Sequence, residues 1–518
     1  TAVVSCDNLQ DLNVNPSFPV DVSAQALMPP IQQQMAVGLQ FDNRYLGRYV
    51  QYFSNATAEN EWDRYGYVAN NDQGGEIWKM AYFSLGLNIT RMQEKAVAEE
   101  RHDITGMAKV IRAWSWQVAT DYHSELIDFD QAFTQRMSFD YVGQEKVYAE
   151  ILRLINEGVT DLARTDGKVS ASYAAVGDKM YNGDRAKWTK FAWGIVARNL
   201  NNQINKSTYN ADAVIAACDK SLASNTDNAL INYNGSVSAD SNFNGPGRNN
   251  ISLFRQTDFM VRVMDGTVFT GAVDPRMSRI LAPSIGLSEA SPASTAIPDP
   301  TKYTFVGNPL NTTASSTTSP SRIPNLWGTF STGTVTTPGR YIFRDKASFP
   351  IMTYAEIQFI KAEAAFKKGD KTLALAAYKK GIEASIDFVN LNTVVSTSYP
   401  ITSAITATEK NTFLANLNVV PAEANLTMSH IILQKYISLF GFGNLEAWTD
   451  MRKYHYDNVN IYKTMAFPTL LFADNGGKLP YRVRPRFNSE YVWNFASLQA
   501  IGADKVEYHT VEMWFSKP

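Results

Sequence analysis

The chain has 518 residues, 45% of them hydrophobic and 19% charged, with a formal net charge of −2. That length exceeds what one simple core supports, so two lobes or a repeat array is expected, around a large globular core. No long basic run occurs, which argues against nucleic acid as a partner, and no apolar run approaches the ~18 residues that a membrane-spanning helix needs.

Cys6 follows the small and apolar residues Thr1 to Ser5 and precedes a polar stretch, Asp7 to Ser17. That arrangement is either the junction of a bacterial lipoprotein signal or an incidental N-terminal cysteine. Asn15-Pro16 and Phe18-Pro19 block helix, so residues 7–25 read as an extended tether. Helical patterning starts near Ala26 and runs to about Phe53. A polar loop, Asn55 to Gly75, separates it from a helix over Glu76 to about Lys95, and another helix runs from near Glu99 to about Tyr122. His123 to Val142 is irregular, and KVYAEILRLINEGVTDLA (Lys146–Ala163) is amphipathic at helical spacing. Asn182-Gly183-Asp184 is a turn that opens a helix over Arg185–Ile204, and Tyr209 to Ser224 completes this region.

From about Asn225 to Ser348 Gly, Pro, Ser, Thr and Asn dominate, including NTTASSTTSPS (Asn311–Ser321). Short helices are expected only near Leu253–Met264 and Asp274–Leu281. Aromatic residues recur there, which points to an ordered, loop-rich lobe. Helical pattern returns in FPIMTYAEIQFIKAEAAFKKGDKTLALAAYKKGIEASIDF (Phe349–Phe388). Gly369 stops its first helix, Asp370 caps its second, and Ala362, Ala365, Ala374 and Ala377 let the two approach as a tetratricopeptide-like pair. Helices are also expected over Thr408–Leu417, Thr427–Phe440 and Glu446–Tyr454, before a loop-like C-terminal part, Phe467 to Pro518.

Catalytic constellations are thin. The five histidines, His102, His123, His430, His455 and His509, form no HExxH helix, and neither a G-x-S-x-G elbow nor a phosphate-binding loop is present. Asp128 and Asp130 resemble a fragment of a calcium loop, but its Gly and terminal Glu are missing, so a structural calcium ion is not indicated and no cofactor or metal is expected. Cys6 and Cys218 are too few for a disulfide framework or a zinc site. Cys218 reads as a buried small hydrophobe.

Several segments together resemble the SusD/RagB family of surface nutrient-binding lipoproteins, in its SusD-like branch. They are Cys6 with DLNVNPSFP (Asp11–Pro19), IWKMAYFSLGLNI (Ile77–Ile89), YNGDRAKWTKFAWGIVAR (Tyr181–Arg198), PIMTYAEIQFIKAEAAFKKGD (Pro350–Asp370), IILQKYISLFGFGNLEAWTDMRK (Ile431–Lys453) and LPYRVRPRFNSEYVWN (Leu479–Asn494). Two family runs are absent: Gly-Asp-Ile/Val-Pro-Tyr is replaced near Tyr122–Leu126, and Arg-Arg-Thr-Gly-x-Pro near Arg452–Asp457.

The resemblance implies a mainly α fold in which tetratricopeptide-like pairs form a right-handed helical scaffold with a loop-rich second lobe. The expected organisation is a lipidated tether over 1–25, scaffold over 26–224, the loop-rich lobe over 225–348, scaffold again over 349–460, and a C-terminal segment over 461–518 that packs on it. It also implies that Cys6 is lipidated and that the protein is anchored at the outer-membrane surface. Its role would be a lid on a SusC-like TonB-dependent transporter that captures oligosaccharides or, in some branches, peptides, without being an enzyme. An α-rich glycoside-processing enzyme and a helix-repeat interaction module are the rivals.

Sugar capture asks for flat aromatic faces with polar groups at the rim. In the loop Asn55–Gly75 the candidates are Trp62, Arg64, Tyr65, Tyr67 and Asn70; in the loop-rich lobe they are Tyr303, Asn325 and Trp327. The alternative for each ring is that it plugs a loop onto the core. Trp78, Trp114, Trp116, Trp188, Trp193 and Trp448 lie in helical patterns and are expected in the core.

Overall fold

The structure, a computed structural model, describes residues 22–284, 303–314, 322–330, 337–397 and 401–518. Cys6, nearly all of the expected tether and residues 315–321 of the Ser/Thr-rich run lie outside the described residues.

Helices dominate. The N-terminal half holds α1 (Met28–Tyr49), α2 (Glu76–Lys79), α3 (Gly86–Ala98), α4 (His102–His123), α5 (Gln144–Ala163), α6 (Ala171–Gly177), α7 (Arg185–Asn202) and α8 (Ala211–Lys220). Two short helices follow, α9 (Asp258–Arg262) and α10 (Met277–Ile280). The C-terminal half holds α11 (Tyr354–Lys368), α12 (Lys371–Asn392), α13 (Ala407–Ala415), α14 (Met428–Ser438), α15 (Asn444–Lys453) and α16 (Phe495–Ala500). The expected helix over Glu76–Lys95 is interrupted by a π turn, Met80–Ser84.

Successive helices pair: α4 with α5, α7 with α8 and, as the sequence pattern requires, α11 with α12. The small residues of the last pair, Ala362, Ala365, Ala374 and Ala377, are all buried. Gly369 ends α11 at φ +90°, a left-handed conformation that costs an L side chain energy. Asp370 then caps α12 by accepting from the Leu373 amide at 3.0 Å. Asp184 caps α7 in the same way, accepting from the amides of Ala186 and Lys187. Between α4 and α5 the backbones nearly touch: a Cβ on Gly106 would lie 2.7 Å from the Gly158 carbonyl oxygen.

Among the described residues three small antiparallel ladders stitch the loops to this scaffold: β1 (Phe53–Asn55) with β5 (Phe254–Gln256), β2 (Leu126–Ile127) with β3 (Tyr141–Val142), and β4 (Ala229–Ile231) with β6 (Phe349–Met352). Their registers pair Phe53 with Gln256, Leu126 with Val142, and Ile231 with Phe349. Arg276, fully buried, ties the loop-rich stretch to the scaffold. It pairs with Asp274 at 2.6 Å and donates to Ser385 on α12 and Gln434 on α14. One large hydrophobic cluster runs through both regions, from Ala24 to Val483. Five of the six helical tryptophans are buried in it; Trp193 is half-buried, with the Lys220 ammonium 4.2 Å from its ring centre.

The scaffold also buries charge. Glu363 on α11 meets Lys453 on α15 at 2.8 Å and Lys435 on α14 at 3.7 Å, and Asp450 meets each lysine at 2.9 Å. All four are buried. Burial works to raise the Glu363 carboxyl, but the two ammonium charges and hydrogen bonds from Lys453 and Tyr454 outweigh it and hold the group at about 2. This folded value lies below the ordinary 4.5. The stability that Glu363 contributes is therefore complete above pH 4.5 and lost as pH falls toward about 2. Removing one partner of a buried pair leaves an uncompensated charge and costs about 3–5 kcal/mol. Glu363→Gln is expected to lower the denaturant midpoint at pH 7 by that order, and its deficit against wild type should shrink as pH falls below 4.5. A deficit independent of pH would show that the pairing is not ionic.

Candidate functional site

The loop Asn55–Gly75 and the C-terminal segment meet on one face. Their junction is held by backbone and side-chain bonds: the Phe472 amide donates to the Arg64 carbonyl at 2.9 Å, and Asn475 Nδ2 donates to the Tyr65 carbonyl at 3.0 Å. Asp72 accepts from the Asn488 amide and side chain at 2.9 and 2.8 Å and pairs with Arg486. The Val483 amide donates to the Tyr122 carbonyl at the end of α4, and His123 Nδ1 donates to the Val483 carbonyl at 2.9 Å. Burial pushes the His123 imidazole down to about 3, so it is neutral at physiological pH.

A cleft of about 330 Å³ opens at this junction. Tyr67, Asn70, Asn71 and Gln73 line it from the loop; Arg484, Arg486, Phe487, Tyr491, Phe495 and His509 line it from the C-terminal segment. Four neighbours fix Tyr67. Its hydroxyl donates to Asp474 at 2.8 Å, Phe472 and His509 meet the ring edge-on, and the Arg484 guanidinium lies 4.5 Å from the ring centre. Burial raises the Tyr67 hydroxyl above its ordinary value, so it stays protonated and can donate. Arg484 is in turn held by the carbonyls of Ala503, Lys505 and Val506. Phe487 stacks on Tyr491 with ring centres 5.7 Å apart, and Phe495 is 44% exposed. Asn70 stands at the loop tip, exposed and at φ +57°. The result is a pre-formed concavity of ring faces bordered by amides and guanidinium groups, with donors and acceptors for a hydroxylated ligand.

The structure brings together two of the eight ligand residues expected from sequence, Tyr67 and Asn70. Four others are withdrawn from solvent. Trp62 packs on Tyr45 and Tyr49 and donates from Nε1 to Gln73 at 3.1 Å; Tyr65 stacks on Tyr49 with ring centres 5.4 Å apart. Trp327 donates to the Asn244 carbonyl at 2.8 Å, and Asn325 Oδ1 accepts from the amides of Trp327 and Thr329. All four are at most 1% exposed, so as placed none offers a face to a ligand; they anchor their loops to the core. Arg64 does not line the cleft, and Tyr303 is half-buried elsewhere, its hydroxyl accepting from the Ile401 amide. The C-terminal half of the cleft was missed by sequence reasoning. Its signal was present in YRVRPRFNSEY (Tyr481–Tyr491), where arginines and rings alternate around a proline.

Among the described residues no group of three or more His, Cys, Asp and Glu side chains could hold a metal ion. Asp128 instead closes a local turn, accepting from the Asp130 amide at 2.9 Å. No described helix is long and apolar enough to cross a membrane.

Comparison with known proteins agrees with this fold. No curated protein matches the sequence. Among solved structures, a SusD/RagB family protein from Bacteroides thetaiotaomicron is similar at TM-score 0.69 and 20% identity, over 96% of this chain and 99% of that one. A SusD homologue from Bacteroides fragilis matches at TM-score 0.68 and 19% identity, over 96% and 100% of the two chains. A chitin-binding protein matches at TM-score 0.69 and 18% identity, over 95% and 99%. Residues 16–484 match the family model described as SusD-like, "starch-binding associating with outer membrane". The chain therefore belongs to the SusD-like family of starch-binding proteins that associate with the outer membrane.

Proposed function

We propose that the protein is a cell-surface lipoprotein that captures oligosaccharides in the Tyr67–Arg484 cleft and passes them, as a lid, to a SusC-like TonB-dependent transporter. The match of residues 16–484 to a family described as starch-binding carries this reading. The cleft supports it: ring faces at Tyr67, Phe487 and Phe495 suit the C–H surfaces of sugar rings, and the amides of Asn70, Asn71 and Gln73 suit their hydroxyls. That one structural neighbour is a chitin-binding protein agrees with a saccharide ligand. No bond is broken in this role. Cys6 is the acylated residue, and tethering beside the transporter raises the local concentration of captured ligand.

Calorimetry against a panel of soluble starch, chitin and plant oligosaccharides, with peptides as a second panel, tests the reading. One saccharide class should bind without release of new reducing ends. Tyr67→Ala and Phe495→Ala should each weaken it about tenfold, ~1.4 kcal/mol. Trp327→Ala should instead act on stability, at about 3–5 kcal/mol, because its ring is buried. Peptide binding in place of saccharide, or reducing-end release, would contradict the proposal.

Attachment is tested separately. Acyl chains contribute ~0.8 kcal/mol per buried methylene, so their loss should free the protein. Cys6→Ala expressed in the native host should leave the membrane fraction and appear in soluble fractions; a variant that stays membrane-bound is attached by other means.

A further inference from the structure

A second, larger cavity of about 530 Å³ adjoins the cleft, and Arg486 lines both. Two π turns build it, Met80–Ser84 and Phe487–Tyr491. Such turns are uncommon and concentrate at functional sites. Its walls differ in chemistry from those of the cleft. Trp78, Tyr82, Phe133 and Phe139 line it, and Phe83, Met137 and Trp493 stand at its mouth 70%, 90% and 73% exposed. Large apolar side chains left in water together mark a surface that something covers.

Most polar groups of this cavity already hold partners, within it or beside it. Glu490 accepts from Trp78 Nε1 at 3.0 Å, from the Tyr141 hydroxyl at 2.5 Å and from Asn494 Nδ2 at 3.1 Å. Asn494 also accepts from the Phe139 amide and donates to its carbonyl, both at 3.0 Å. Lys79 pairs with Glu76 at 3.1 Å, and Arg486 pairs with Asp72. The Ser489 hydroxyl oxygen is the exception, buried and without a partner. A hydroxylated sugar ring would lose most of its water hydrogen bonds here without replacement. A flat ring with one or two oxygens would stack on the aromatic walls and keep those oxygens hydrated at the open mouth. The volume is that of a small-molecule site, and its continuity with the cleft supplies the route by which such a group arrives.

We propose that this cavity binds an uncharged aromatic substituent, of the hydroxycinnamate-ester class, carried on the saccharide held in the neighbouring cleft; the proposal rests on the saccharide reading of that cleft. Ethyl ferulate titrated into the full chain by calorimetry is the direct test. Saturable binding is expected, weakened at least fivefold by Trp493→Ala and by Phe83→Ser, both exposed positions whose thermal melts should match wild type, and unchanged by Tyr67→Ala. Failure of the wild type to bind ethyl ferulate saturably, or binding that survives both substitutions unaltered, overturns the proposal whatever the saccharide panel shows. Absence of ethyl ferulate binding together with loss of transporter co-purification in Trp493→Ala also overturns it and assigns the patch to a protein interface. Ethyl ferulate binding as expected while no saccharide binds upholds the aromatic site and removes the saccharide from the neighbouring cleft.

Discussion

Charge buried between helices α11, α14 and α15 fixes how the scaffold closes. Glu363, Asp450, Lys435 and Lys453 sum to zero net charge in the core, and each depends on the others for compensation. A second cluster extends it: Arg198 on α7 reaches Glu356 on α11 at 2.5 Å and Glu446 on α15 at 3.1 Å. Burial and the nearby Glu356 charge push Glu446 up to about 7 against the pull of Arg198. Such pairs add little net stability over an apolar core, but they penalise any alternative register because a shifted helix strands a charge. Helix α7, helix α11 and the consecutive helices α14 and α15 are thereby held in one arrangement.

That arrangement sets the candidate site. Arg452, which lies between the cluster members Asp450 and Lys453 on α15, is 3.7 Å from the Trp448 ring centre and donates to the Tyr481 carbonyl at 2.9 Å. Trp448 donates to the Tyr456 hydroxyl at 2.7 Å, and Tyr456 reaches the Pro480 carbonyl. The C-terminal segment is thus fastened at Pro480–Tyr481, and further on at Val483 to the end of α4, before it supplies Arg484, Arg486 and Phe487 to the cleft. On the other side, Trp62 and Tyr65 sink into the core and leave Tyr67 and Asn70 at the surface. Rings that carry no ligand face still determine where the ligand-facing residues stand.

The helices were legible because their signals are local. Gly369 and Asp370 are stop and cap residues in adjacent positions, Gly183 and Asp184 are turn and cap, and the alanines of Phe349–Phe388 repeat at helical spacing. The π turn at Met80–Ser84 was not legible; just past it Gly86 packs against Phe133, where a Cβ would lie 2.3 Å from the ring, a contact across more than forty residues. The candidate site divides in the same way. Composition identified the aromatic loop, but it cannot tell an outward ring from an inward one in a loop without periodicity, so Trp62 and Tyr65 were read alike with Tyr67. The half contributed by Arg484 to Phe495 required the chain end to return to that loop, and only long-range bonds such as Asp72 to Asn488 record it.

The central claim is that this face, joined from the Asn55–Gly75 loop and the C-terminal segment, is where the ligand sits. A crystal structure of the protein with the oligosaccharide selected by the binding panel tests it most directly. The account predicts sugar density between Asn70 and Arg484, with a pyranose ring against Tyr67 or Phe495. Ordered sugar elsewhere on the molecule, with this cleft empty, would contradict it.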